Sequence, residues 1–179
     1  MEDLRYPVGK FQKPEAFSPA FRDHCFDILI AAPERIRDAV RGLSPDQLAT
    51  PYREGGWTVA QVVHHLADSH MHTYLRFKLA LTEEAPTVSG YSEAAYANLA
   101  DGLAATSDAV ETSILLISAL HSRWVTMARA LTEAEWNREF TIPGRPSRSL
   151  NLILAIYTWH VPHHVAHITS LRARMGWQR

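Results

Sequence analysis

The sequence predicts an all-α protein that folds as a four-helix bundle with short accessory helices. Four long segments carry apolar residues at helical spacing, and residues that cap helix N-termini mark where these segments begin. The segments between them carry proline, glycine and short capping motifs. No internal repeat, low-complexity tract or domain linker interrupts the 179 residues, so we expect a single domain over 1–179.

The first long helix is predicted to follow an extended N-terminal arm. The arm, residues 1–17, contains two prolines and a glycine. Ser18 then supplies an N-cap and Pro19 the first helical position. We expect this helix to run to about residue 43, with Pro33 bending or splitting it.

The second long helix begins at a capping box. A short helical turn at 44–46 and a loop at 50–56 precede it. Thr58 is the predicted N-cap, and Gln61 reaches back to the cap backbone. The apolar pattern then continues to about residue 84.

The third and fourth long helices are predicted after residue 100. Residues 92–99 suggest a short helix, and Ser107-Asp108 caps the third long helix, which reaches about residue 131. A capping box at 132–135 starts a short helix at most, and a turn region with a small extended piece follows over 140–148. The last long helix runs from a Ser149 cap to Gly176 as its C-terminal cap.

Composition restricts the class of function. Apolar residues make up 46% of the chain and charged residues 21%, which is ordinary for a globular protein. The net charge of −1, with no run of Lys or Arg, gives no support to a nucleic-acid or anionic-membrane partner. The single cysteine, Cys25, excludes an intrachain disulfide framework. With no predicted signal peptide or transmembrane run, we expect a cytoplasmic protein.

Histidines form the most informative pattern. His160 and His164 stand four apart, so on a helix their imidazoles lie one above the other. A second cluster lies far upstream: His64, His65, His70 and His72. Three ligands from two elements suit a catalytic zinc-type site, since neutral imidazole is a common metal ligand. The His-Glu-x-x-His motif of metalloproteases is absent, because Val161 and Pro162 follow His160.

Helical spacing separates the inward-facing histidines of the last helix from the others. His164 falls near the middle of its apolar stripe, with His160 beside it, whereas His163 is rotated by roughly 100° and is predicted to flank the site. Neutral core histidines satisfied by hydrogen bonds are the alternative. Two stacked imidazoles without a shared partner in an apolar core are costly, which favours a metal.

The second long helix is less decisive about the third ligand. His70 projects near the centre of its apolar face, His65 lies at the margin, and His64 is further out. Periodicity alone therefore favours His70, with His65 second.

Several motifs resemble the YfiT branch of the DinB superfamily. They are the opening Tyr6-Pro7-Val8-Gly9, the segments 50–59 and 61–71, and the run from Trp159-His160 to Ile168. The resemblance spans essentially the whole chain. It implies an up-down-down-up four-helix bundle, a divalent metal held by three histidines, and a homodimer. The implied ligands are His65, the histidine that precedes Leu66, together with His160 and His164, so the resemblance overrules the preference for His70.

Pro162, between two of the implied ligands, departs from the family pattern. It removes the helical hydrogen bond to the carbonyl of Thr158 and is expected to bend the helix. A harmless kink is the favoured interpretation. The alternative is that the bend widens the site or exposes a carbonyl to it.

The leading functional hypothesis is a hydrolase whose metal activates a water molecule. We expect one divalent ion per chain, Zn²⁺ before Ni²⁺, and a small-molecule substrate. Two alternatives remain: a transferase acting on low-molecular-weight thiols, and a metal-binding module without catalysis. Candidate acid or base groups are His70, His163 and Asp68. Their alternative roles are core hydrogen bonding, a solvated flank, and a surface or supporting carboxylate. Three aromatic residues are candidates for pocket walls: Trp57, Tyr157 and Trp159.

Overall fold

Four long helices dominate the computed structural model, which describes residues 3–177. They are α1 (Pro19–Val40), α3 (Val59–Thr82), α5 (Ser107–Arg129) and α7 (Leu150–Met175). Short helices lie between them: α2 (Pro45–Leu48), α4 (Glu93–Ala97) and α6 (Glu133–Trp136). Two short strands, β1 (Glu139–Phe140) and β2 (Arg148–Ser149), pair antiparallel, with Glu139 opposite Ser149. The predicted all-α bundle with accessory helices is confirmed.

The bundle has the up-down-down-up topology. Helix α1 packs against α5 and α7, and α3 packs against the same two helices, so α1 and α3 lie on one diagonal. Two buried apolar clusters give the directions. One joins the starts of α1 and α7 to the ends of α3 and α5; the other joins the opposite ends. Helices α1 and α7 therefore run one way, and α3 and α5 the other.

The two apolar clusters leave room for a polar layer between them. The first contains large rings such as Phe77, Trp124 and Trp136, together with the fully buried Cys25. The second contains aliphatic side chains such as Val63 and Ile168. On α7 the clusters are separated by residues 160–167, which hold all four histidines of that helix. The bundle thus holds the four histidines of α7 between two apolar clusters.

Some helix boundaries differ from the predictions. Helix α1 ends at Val40 rather than near residue 43, and Pro33 lies inside it without splitting it. Pro162 likewise lies inside an unbroken α7. A proline inside a helix costs roughly 3 kcal/mol, which burial of apolar faces on both sides offsets. The cap of α5 is Thr106, whose side chain accepts from the amide of Ala109, rather than the predicted Ser107-Asp108.

The N-terminal arm lies against α7. Over its described part it forms turns rather than helix or strand, and Phe11 packs edge-on against Trp159. The indole Nε1 of Trp159 donates to the carbonyl of Gly9 at 3.3 Å. Tyr6 packs against His163, with ring centroids 5.9 Å apart. The arm therefore covers the histidine-rich part of α7.

None of the helices within residues 3–177 is long and apolar enough to cross a membrane.

Candidate metal centre

Three imidazole nitrogens converge where α3 faces α7. The Nε2 atom of His160 lies 3.2 Å from Nε2 of His65 and 3.0 Å from Nε2 of His164. Among residues 3–177, no fourth His, Cys, Asp or Glu side chain joins this group. The structure thus brings together the three residues that the resemblance implied, and we call them the histidine trio.

The antiparallel packing of α3 and α7 positions the trio. The i,i+4 spacing stacks His160 and His164 on one face of α7, with ring centroids 4.4 Å apart. His65 comes from the first half of α3 and meets both rings edge-on. Trp57, just before α3, packs on the outer side of His65 with centroids 4.6 Å apart.

A chain of hydrogen bonds determines the tautomer of His160. The Nδ1–H of His121 donates to the carbonyl of Leu29 at 2.7 Å, because a carbonyl can only accept. Neutral His121 then accepts at Nε2 from Nδ1–H of His70, at 2.8 Å. His70 in turn accepts at Nε2 from Nδ1–H of His160, at 3.3 Å. The proton of His160 is therefore on Nδ1, and its Nε2 carries a lone pair. We call this chain the His121 relay.

A second series of hydrogen bonds determines the tautomer of His164. The Nε2–H of His167 donates to the carbonyl of Arg5 in the N-terminal arm at 3.2 Å. Its Nδ1 therefore accepts from Nδ1–H of His164, at 3.3 Å. His160 and His164 thus both present an unprotonated Nε2.

This donor set fits a divalent metal. His65 is able to direct one N–H at His160, yet the Nε2 lone pairs of His160 and His164 still face each other at 3.0 Å without a proton between them. A cation is the partner that such lone pairs require. The separations of 3.0 and 3.2 Å are close to the roughly 3.4 Å between two nitrogens on a tetrahedral zinc ion.

Burial keeps the trio neutral. It lowers the pKa of His65 from the ordinary 6.5 to about 4, with a smaller contribution from His163. Burial also holds the pKa values of His160 and His164 well below 6.5, and the neighbouring imidazoles add to the effect. Neutral imidazole is the form that binds metals, so these nitrogens are available at neutral pH.

His70, which periodicity favoured as the third ligand, takes a different position. It is fully buried and both of its ring nitrogens are used in the relay. A side chain at the centre of the apolar face, such as His70, is buried most deeply. His65 lies at the margin of that face and reaches His160 on α7. Core hydrogen bonding, the alternative role given to His70, is what the structure shows.

The other two acid or base candidates lie outside the trio. His163 is 7% exposed and stacks on Trp159 at 4.3 Å, so it is not a solvated flank, because the N-terminal arm covers it. Asp68 lines a cavity between α3 and α5, and burial, with Asp101 second, raises its pKa. His64, at the same cavity, bonds to Ser113 and to a backbone carbonyl.

A second group of histidines also comes within metal-ligand range. It consists of His163, His164 and His167. His164 and His167 already share a proton through their Nδ1 atoms, so a metal there would break the contact that orients His164. The histidine trio is the better site, because no proton lies between the facing Nε2 lone pairs of His160 and His164.

The comparisons with known proteins agree with this geometry. Residues 28–168 match the sequence profile of the DinB superfamily. The chain belongs to the DinB superfamily. A relative in Bacillus subtilis, named "Putative metal-dependent hydrolase YfiT", is 44% identical over 98% of this chain and 97% of its own. A relative in Geobacillus kaustophilus with the same description is 42% identical over 99% of this chain and 98% of its own.

A solved DinB-type structure shares the fold. The structure of YfiT from Bacillus subtilis, described as having an unusual four-helix bundle topology, matches with a TM-score of 0.94 and 43% identity. The match covers 99% of this chain and 100% of that one. The overall resemblance inferred from the sequence motifs is therefore confirmed.

Beside the trio, this DinB-superfamily chain has a cavity of about 500 Å³. His160 lines it together with Tyr157, whose hydroxyl lies 2.9 Å from that of Ser69. Of the three aromatic residues proposed as pocket walls, Tyr157 lines this cavity. Trp57 packs on His65, and Trp159 lies under the N-terminal arm.

Sequence reasoning missed two contributors to the site. His121 is isolated in the sequence of α5, yet burial lowers its pKa to about 4 and it anchors the relay. A histidine inside an apolar helical stripe was the available signal. The cavity also takes three arginines from two distant segments, which no spacing rule connects: Arg76, Arg145 and Arg148.

Proposed function

We propose that this protein is a metal-dependent hydrolase of small molecules, in which His65, His160 and His164 hold one divalent ion. Zinc is the proposed ion and nickel the second choice, since both accept neutral imidazole. The observation that carries the proposal is the convergence of three Nε2 atoms at 3.0 and 3.2 Å, two of them with their protons held on the far side of the ring.

When bound, such an ion polarises a carbonyl and lowers the pKa of water to about 7. The chain contributes orientation and a dry environment. The His121 relay holds the proton of His160 on Nδ1, and the N-terminal arm does the same for His164 through His167. The hydroxyls of Tyr157 and Ser69 line the adjacent cavity, and they hold each other in place: Tyr157 donates to the backbone carbonyl of Ser69 and accepts from the Ser69 hydroxyl.

The number of ligands favours catalysis over a structural role. A structural zinc site normally has four protein ligands, whereas a catalytic one has three and an open position. In the described part of the chain the trio has no fourth candidate, and both nitrogens of His70 are engaged elsewhere.

The test combines metal analysis with an activity screen. Reconstituted protein is expected to hold about one zinc per chain and to hydrolyse a panel of esters and amides. His65→Ala should lose both properties, while His24→Ala, at an exposed histidine of α1, should keep them. A protein that binds no transition metal contradicts the site assignment. A metalloprotein that transfers a low-molecular-weight thiol but hydrolyses nothing contradicts the reaction class.

A further inference from the structure

The cavity beside His160 is strongly basic. Arg76 from α3 lines it together with Arg145 and Arg148 from the β1–β2 hairpin. One carboxylate, Glu93, also lines it and is exposed at α4. The fold brings these segments together through a bridge between Thr87 and Thr141, which places the hairpin beside the chain that follows α3. The result is a pocket with three guanidinium groups against one acid.

These arginines have no protein counterion. Across residues 3–177, the side chains of Arg76, Arg145 and Arg148 form no ion pair, and Glu93 does not reach them. By contrast, Arg22, which is about as buried as Arg76, is bound to the carboxylate of Glu133 at 2.7 Å. A buried cation without a partner is costly, so its retention in a cavity points to a ligand that supplies the charge.

Arg76 shows the lack of polar partners most directly. Arg76 is only 8% exposed, and within residues 3–177 its side chain forms one hydrogen bond, from Nη2 to the carbonyl of Ser89 at 3.2 Å. Within the described residues its Nε–H is buried without an acceptor. Burial lowers the pKa of Arg148, and the nearby cations Arg145 and Arg76 lower it further.

We propose that this arginine pocket binds an anionic group, a carboxylate or a phosphate, of the substrate whose reacting end lies toward His160. Planar guanidinium groups match the oxygens of both anions and bind them with paired hydrogen bonds. A cavity of about 500 Å³ suits a small molecule rather than a polymer. The inference rests on the proposed hydrolase function only for the orientation of the substrate; anion binding stands on the arginines alone.

The first test measures anion binding by calorimetry, with benzoate and phenyl phosphate as probes for the two anions. Binding is expected to weaken at least about tenfold in Arg145→Gln and Arg148→Gln. Arg145 is exposed, so its variant is expected to fold normally. Arg35→Gln, at an exposed arginine of α1, removes the same charge elsewhere and should bind as the parent does.

Measuring the same titrations on metal-free and zinc-loaded protein separates the pocket from the metal. Anion binding that survives chelation and weakens in the two pocket variants supports the proposal. Binding that disappears on chelation, or that Arg145→Gln and Arg148→Gln leave unchanged, overturns it. The tighter of the two probes identifies which anion the pocket prefers.

A kinetic comparison tests the orientation. Arg145→Gln should lower kcat/KM at least about tenfold more for an ester that carries a carboxylate than for a neutral ester of similar size. An equal effect on both esters overturns the assigned orientation. If the protein hydrolyses neither ester but still binds anions through the arginines, the hydrolase proposal fails and the anion site remains.

Discussion

In the candidate metal centre, the two ring nitrogens of His160 face different partners. Its Nε2 faces His65 and His164, and its Nδ1 donates to His70. Loss of a ligand and loss of the residue that orients it should therefore have different consequences.

We expect His65→Ala to abolish tight metal binding and His70→Ala to leave it measurable but weaker. His65 supplies one of the three nitrogens, whereas His70 acts only through His160. Calorimetric zinc titration of both variants checks this. Tight binding by His65→Ala together with loss in His70→Ala would show that helical periodicity identified the ligand correctly.

His121 offers a more distant test of the relay. We expect His121→Phe to weaken zinc binding by about 10- to 100-fold, the usual effect of losing a residue that orients a metal-binding histidine. A matched control is His72→Phe, since His72 stacks on Tyr91 and takes no part in the relay. Equal zinc affinity in His121→Phe and the parent protein would rule the relay out as a positioning device.

At the level of single residues, the sequence showed which histidines could meet, but it did not show which histidine of α3 meets the pair on α7. The i,i+4 spacing of His160 and His164 places their rings on one face of α7, and this follows from helix geometry alone. The choice between His65 and His70 depends on how far α3 is rotated against α7. That rotation is set by packing over the whole helix, so one helical wheel assigns it poorly.

Among the elements, the N-terminal arm has a role that its sequence did not suggest. Its Arg5 carbonyl accepts a hydrogen bond from the Nε2–H of His167 and thereby fixes the tautomer of His164. A loop carbonyl has no sequence signature, because every residue carries one.

A variant lacking residues 1–10 should therefore bind zinc roughly tenfold more weakly and unfold at a lower temperature. Without the arm, His167 loses its acceptor, and either ring nitrogen of His164 is free to carry the proton. Calorimetry and thermal unfolding measure the two effects. Trp159→Phe is the control, since it removes the indole bond to Gly9 but keeps an aromatic ring beside His163 and leaves the Arg5 carbonyl in the chain. A truncated protein that unfolds earlier but binds zinc normally would limit the arm to a structural role.

The helices themselves were largely predictable. The capping boxes at Thr58 and Thr132 begin α3 and α6 as expected, because their partners are local in sequence. Of the two predicted effects of Pro33, splitting of α1 does not occur, because burial on both sides of a proline does not show in a local pattern. Tertiary packing decides such cases.

For the whole molecule, the buried histidines predict how stability depends on pH. Burial lowers the pKa values of His65 and His121 from 6.5 to about 4, so in the folded protein they stay neutral while the unfolded chain takes up protons. Stability of the metal-free protein should be full above pH 6.5 and fall as pH drops toward 4. Within that window, each such histidine lowers the free energy of unfolding by about 1.4 kcal/mol for each pH unit of acidification.

Urea unfolding of chelated protein at several pH values between 7.5 and 4.5 checks this dependence. His121→Phe should show a shallower loss than the parent protein, since it has one fewer buried group to protonate. A free energy of unfolding that stays constant over this range would contradict the neutral, buried state of these rings.

We also propose that the chain forms a homodimer, as the resemblance to YfiT-like proteins implied. Light scattering at micromolar concentration should then give twice the 20.2 kDa mass of the chain. A monomeric mass would remove the dimer without affecting the metal centre, because all three proposed ligands belong to one chain.

The buried cysteine has a practical consequence for separating hydrolysis from thiol transfer. Cys25 has no exposed surface, and burial raises the pKa of its thiol, so it carries little thiolate at neutral pH. The folded protein should therefore not react with thiol-titrating dyes. A loss of dye-reactive thiol during an assay then measures consumption of the added thiol substrate alone. Any thiol that acts as the nucleophile must come from that substrate and not from the protein.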